Sequence, residues 1–226
     1  MRFQDAARDA RAVVYAGIQA DPQVARTAAL LADATPTQRV LARAVMNGET
    51  TDSDGWRTMF PALFGPTATG DASERARSAA ILEASRAVAD RGEQVRSQVR
   101  GALIEELTAQ LLARRVGTGA VRRERRILFD GVRAEIHPYD VTVERADTAE
   151  AYDCKWGARG INADVLHQLD DARTHAADED ERLTVAIVVF DARRSCDVRL
   201  AGQTAPHDGT GVLTLETLDE LAGPPR

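Results

Sequence analysis

Cysteine, lysine and long apolar runs are all scarce in this chain of 226 residues. The two cysteines, Cys154 and Cys196, make neither a disulfide framework nor a zinc spacing. They point to a reducing, cytoplasmic location. No apolar run approaches the ~18–20 residues of a membrane-spanning helix, which excludes a membrane partner of that kind. The opening residues, MRFQDAARDAR, are charged and lack the apolar centre of a secretory signal. No period of ~20–50 residues recurs, so a repeat array is excluded. Lysine is the most extreme case: 28 arginines and 40 alanines stand against the single Lys155. Such a bias is compositional before it is functional, but it makes the lone lysine worth following.

What remains is an ordinary globular composition, 44% hydrophobic and 28% charged, with room for one large domain or two small ones. The net charge of −6 is unevenly spread. Between Arg96 and Arg126 there are eight arginines and three glutamates, a local excess of +5. Acid collects at 140–150 and 178–181. A basic band beside an acidic centre is one expectation, and a solvated helix face followed by a charged strand is the other.

Helical spacing of apolar positions predicts short helices over 6–18, 24–31 and 40–46. Asp21-Pro22 and Thr35-Pro36 read as helix starts, and Asn47-Gly48 as a stop. Residues 56–64 form an aromatic patch expected in the core of a small helical module. Asp71 and Glu74 form a capping pair for a long helical region over 72–115, which Gly92 and Gly101 are placed to divide. The pattern then changes. Strands are expected at Val121–Phe129, 135–144, 149–156 and 183–190, with a turn at Asp130-Gly131 and a helix over 162–177. A short strand over 212–215 and a short helix over 216–221 follow. The fold class is α/β, a mixed sheet flanked by helices behind an all-α N-terminal module. The expected divisions are a helical module at 1–70, a connecting helix at 71–92 and an α/β domain at 93–226.

Lys155 sits in Tyr152-Asp153-Cys154-Lys155-Trp156. On a strand, residues i and i+2 share a face, so Asp153 and Lys155 project together and Cys154 points away. Asp140 lies on the preceding strand and meets Asp153 if the two pair as a hairpin. Two carboxylates ~4 Å apart repel by about 4 kcal/mol at an effective dielectric of 20. Such a pair is retained by protonation, by a cation or by a metal. Mg²⁺ suits it, taking one or two carboxylates with backbone carbonyl, water and phosphate oxygens. Phosphodiester hydrolysis uses that arrangement, with a lysine to orient water or offset developing charge. The plain alternative is a strand ion pair between Lys155 and Asp153 or Asp140.

The run from Arg100 to Phe190 resembles the PD-(D/E)xK nuclease superfamily, the restriction-endonuclease-like fold, and within it the Mrr-like restriction enzymes. Gly101-Ala102-Leu103-Ile104-Glu105 is similar to the family's opening helix, Pro138-Tyr139-Asp140 to its Asp strand, and Asp153-Cys154-Lys155 to its D/E-x-K. Residues 162–168 are similar to the helix that follows. Tyr139 stands between Pro138 and Asp140, and Asp153 replaces the commoner Glu. The resemblance implies a Mg²⁺- or Mn²⁺-dependent DNA endonuclease of restriction, phage defence or repair. Asp140 and Asp153 would bind the metal with the Cys154 carbonyl, Glu105 would support a second metal site, and Lys155 would position water. On a helical wheel Glu105 shares its side with Gly101, Thr108 and Ala109, all small, which favours it over Glu106 as the helix carboxylate.

Arg96, Arg100, Arg122, Arg123, Arg125 and Arg126 are then placed to contact phosphates, with Arg159 and Gln168 near the site. His137 is expected in core or surface, Cys154 packed inward, and Cys196 in a polar loop. The rival reading is a nuclease-fold protein that binds nucleic acid or a protein partner without cutting, the N-terminal helices serving as its interface. A structural helical protein with an incidental α/β domain is a third. Homodimerisation is an expectation too, because cutting two strands usually needs two sites.

Overall fold

Leu183–Val189, the most apolar stretch of the chain, is strand β6, an interior strand of the α/β region in the computed structural model. The structure describes residues 1–6, 10–48, 52–66, 68, 70–130, 132–133, 137–206 and 208–223. The expected turn residue Gly131 and the start of the expected strand at 135 lie outside the described residues, as do 7–9 of the first expected helix. The chain divides into two compact units, Met1–Arg11 with Thr108–Arg226, and Ala12–Leu107.

The first unit is built on one mixed sheet. Its strands are β1 (Arg2–Asp5), β2 (Val121–Phe129), β3 (Val132–Arg133), β4 (Tyr139–Glu144), β5 (Ala149–Lys155), β6 and β7 (Gly211–Leu213). The order is β1-β2-β4-β5-β6-β7, with β3 also paired to β2. Pairing is antiparallel from β1 through β5 and parallel from β5 through β7. Helix α8 (Ala163–Asp178) makes the crossover between the parallel strands β5 and β6. It starts where Asn162 accepts a hydrogen bond from Val165 N–H, and it buries Val165, Leu166, Leu169, Ala172 and Ala176. These pack with Ile127, Phe129, Ala151, Val185, Ile187 and Val189. A central parallel strand covered on both faces must be apolar throughout, which is why β6 reads as an unbroken hydrophobic run.

Two elements of this unit depart from the sequence reading. β1 carries a single large apolar residue, Phe3, too little signal for a strand, yet it pairs along β2 from Arg2↔Leu128 to Asp5↔Arg125. The segment expected as a polar loop is helix α9 (Arg193–Ala201), and Cys196 on it is fully buried. Its inner face carries only Cys196 and Leu200 while Val198 is exposed, so its periodicity is faint. Residues 218–222 form a 3-10 turn.

The second unit is helical. It contains α2 (Pro22–Ala32), α3 (Pro36–Asn47), α4 (Ser53–Met59), α5 (Pro61–Phe64) and α6 (Ala72–Ala89). It also holds most of α1 (Ala10–Gln19) and of α7 (Glu93–Val116). Asp21, Thr35 and Asp71 cap α2, α3 and α6, the last two as full capping boxes, and Gly48 ends α3. Gly92 separates α6 from α7, whereas Gly101 stays inside α7. Buried Gln38 donates from α3 to Ser78 Oγ on α6 at 2.9 Å. Helix α6 is thus a packed member of this unit rather than a connector. The unit boundaries at 11/12 and 107/108 replace the expected ones at 70 and 92.

Candidate functional site

The β4–β5 register pairs Thr142 with Ala151 and Val141 with Tyr152. One step further it sets Asp140 opposite Asp153. Opposed residues of antiparallel strands point to one face, so the two carboxylates share a side of the sheet. Ala151 belongs to the core under α8, and by alternation Asp153 and Lys155 project on that same side. The backbone N–H of Cys154 donates to Asp140 Oδ2 at 2.6 Å. The Lys155 ammonium donates to Asp153 Oδ1 at 2.7 Å. Asp153 is only 6% exposed, so its charge is compensated rather than hydrated. Charge-assisted bonds of this kind are worth roughly 1.5–3 kcal/mol each.

Burial pulls the Lys155 pKa down, but the charges of Asp153 and Asp140 outweigh it and hold the ammonium above the usual lysine range. Lys155 is therefore a cation at neutral pH in this arrangement and donates hydrogen bonds. On the opposite face of β5, Tyr152 donates to Glu150, which pairs with Arg115. Burial and that glutamate push the Tyr152 hydroxyl upward. Cys154 is buried there beside Thr108, its Sγ 3.5 Å from Thr108 Oγ1.

Two residues that support the site are absent from the sequence reading. A side chain at Gly160 would place its Cβ 2.8 Å from Cβ, Cγ and Cδ of Lys155, so only glycine lets the turn at Ala158–Gly160 close over the lysine stem. Asp191, at the end of β6, accepts from the N–H groups of Ala158 at 3.0 Å and Ala192 at 2.8 Å, which fixes that turn. Trp156 stacks on Phe190, centroids 4.9 Å apart. A Gly157-x-x-Gly160 spacing directly after D-x-K, and an acid ending an apolar strand, were the signals available. A further local feature is Glu124 on β2, whose φ of 53° is left-handed. The β2–β4 register runs Arg123↔Val141 and Arg125↔Tyr139, so this strained residue stands opposite Asp140.

Glu105 lies in the helical unit. Its carboxylate accepts from Tyr15 Oη at 2.6 Å and Gln19 Nε2 at 2.8 Å. It is buried, whereas Glu106 is half-buried. The smallness of Gly101 serves Tyr15, whose hydroxyl would lie 2.9 Å from a Cβ there. From the sequence, that smallness served to favour Glu105 over Glu106 as the helix carboxylate.

The arginines divide sharply. Arg96 is bonded to Glu93 and to the Gly48 carbonyl, and Arg100 to the Met46 carbonyl, Asn47 and Glu93, all within the helical unit. Arg125 pairs with Glu144 and Asp5. These three guanidinium groups are engaged internally, contrary to their expected place on phosphates. Arg122 is exposed, and Arg123 and Arg126 are half-buried. Gln168, expected to reach toward DNA, is buried. Its amide accepts from His137 N–H at 3.0 Å and donates to the His137 carbonyl at 3.1 Å, pinning the approach to β4. His137 is exposed, and so is Arg159.

Asp140 and Asp153 form an oxygen-only donor pair at the end of two strands, and that chemistry fits a hard divalent cation such as Mg²⁺ or Mn²⁺. No group of three or more His, Cys, Asp or Glu side chains that could hold a metal ion occurs among the described residues. No described helix is long and apolar enough to cross a membrane. No protein-family model, curated protein or solved structure matches the chain.

Proposed function

We propose that the α/β unit is a metal-dependent nuclease acting on DNA, of the restriction-endonuclease-like PD-(D/E)xK kind. One observation carries this reading: Asp140 and Asp153 oppose each other across β4 and β5, with the only lysine of the chain bonded to Asp153. Asp140 and Asp153 would hold Mg²⁺ or Mn²⁺, which when bound supplies Lewis acidity toward a phosphoryl oxygen and toward water. The Cys154 N–H holds Asp140 in place. Lys155, held as a cation beside Asp153 and Asp140, orients the attacking water and offsets charge on the phosphoryl oxygens. In the hydrolysis, a water oxygen bonds to phosphorus, the bond to one sugar oxygen breaks, the attacking water gives one proton to solvent, and the leaving sugar oxygen takes one proton from solvent to become a hydroxyl.

Plasmid cleavage tests it. The wild type cuts with Mg²⁺ and stops with EDTA. Asp153→Asn and Lys155→Ala each reduce the rate by at least ~10²-fold, the scale of a lost transition-state contact. Cleavage that persists in both variants defeats the assignment. The silent nuclease-fold reading is supported by a separate observation, that Lys155 already occupies one oxygen of Asp153 and Cys154 N–H one oxygen of Asp140. It predicts DNA or protein binding with no cleavage under any divalent metal.

A further inference from the structure

Beyond Lys155 the chain turns through Ala158–Gly160 and later meets α9, leaving a cleft of about 520 Å³ between them. Arg159 lines one wall, and Arg194, Ser195, Val198 and Arg199 of α9 line the other. Three arginines and no carboxylate border it. Arg159 and Arg194 are exposed and make no hydrogen bond or ion pair among the described residues. Arg199 is anchored through Nε to the Ile161 carbonyl at 2.8 Å, which ties α9 to the turn. Val198, 69% exposed, adds an apolar patch among these cations. The contrast with Arg96, Arg100 and Arg125 is direct: those are neutralised internally, and these are presented to solvent.

We infer that this cleft binds the phosphodiester backbone of DNA beside the Asp140–Asp153–Lys155 site. The ligand is chosen by complementarity. A row of planar cations pairs bidentately with phosphates, and the apolar patch suits the sugars between them. Position agrees. Arg159 lies four positions after Lys155, so their Cα atoms lie at most ~14 Å apart, about four steps along one DNA strand. The cleft sits at the carboxyl ends of β5 and β6, where open α/β sheets generally receive their ligands. It deepens the nuclease reading and rests on it for the choice of DNA. Contacts of this kind position a strand and read no sequence.

The test is binding of a labelled DNA duplex in EDTA, where no cleavage occurs, across a series of salt concentrations. Replacing Arg159 and Arg194 together by alanine weakens binding roughly tenfold and lowers the slope of log affinity against log salt by about 2. Arg159→Lys with Arg194→Lys retains most of the slope. Arg145→Ala, at the exposed turn at the other end of β5, leaves binding unchanged. The cleft assignment is overturned if the double alanine variant binds as the wild type does, if Arg145→Ala costs as much, or if the wild type does not bind DNA. Thermal melting checks that each variant is folded. Cleavage by the wild type and by Asp153→Asn in Mg²⁺ judges the nuclease reading separately, so either can fail while the other stands.

Discussion

Lys155 is held on every side by something specific. Asp153 takes its ammonium, Asp140 adds charge, and Gly160 yields space to its methylene stem. The glycine is the most exposed of these dependencies to a single change. Gly160→Ala sets a methyl group against the near end of the lysine side chain, which has no room to swing away as a long tip would. On the proposed nuclease reading, the expected outcome is a protein that still folds but cuts DNA ~10–100-fold more slowly, since misplacing a reacting group by ~1 Å costs about that much. Circular dichroism and a cleavage rate check it together, and unaltered cleavage by a folded Gly160→Ala protein removes the glycine from the site. The D-x-K itself was legible in the sequence because a strand's alternation is short-range and reliable. Gly160 was not, since nothing in Gly157-Ala158-Arg159-Gly160 says which side chain will come to rest against it.

At the scale of elements, the helical unit follows its local signals closely. Asp21 accepts from Gln23 N–H at 2.8 Å and pairs with Arg91 at 2.7 Å. The Gln23 N–H and Arg91 together hold its carboxyl below the usual aspartate range. A depressed acid stabilises the fold above its unfolded pKa and loses that contribution as pH falls through its folded value. Asp21→Ala is therefore expected to cost about 1 kcal/mol at neutral pH. The gap to wild type narrows once the pH drops below about 4, as denaturant titrations at two pH values would show. Caps are legible because they are made within three or four residues. α9 and β1 were not, because one shows almost no amphipathic pattern and the other has a single apolar anchor, so each is an element only by virtue of what it packs against.

On the scale of the molecule, the first residues of the chain belong with its last hundred. β1 lines the outer edge of β2, and Phe3 packs on the α8 core although more than a hundred residues separate it from that core. Phe3→Ala is expected to lower the melting temperature by a few degrees, the shift that ~1–2 kcal/mol produces in a chain of this size. A melt identical to wild type would show that β1 adds nothing to the sheet. The same long-range closure explains why the unit boundaries fall at 11/12 and 107/108 and not where composition changes. The uneven charge of the sequence is resolved at this scale as well. Several arginines of the basic segment are consumed by nearby glutamates, while Arg159 and Arg194, outside that segment, are presented to solvent along the cleft that follows β5 and β6.

By itself the sequence determined what depends on neighbours along the chain: the caps, the strand alternation that puts Asp153 and Lys155 on one face, and the apolar run that must be a buried strand. The tertiary structure alone decided which strands pair and which arginines are spent. It also decided that Asp140 faces Asp153, and that a glycine and an aspartate from two different loops hold the lysine in place. Those depend on contacts between residues far apart in the chain, where local propensity carries no information about the partner.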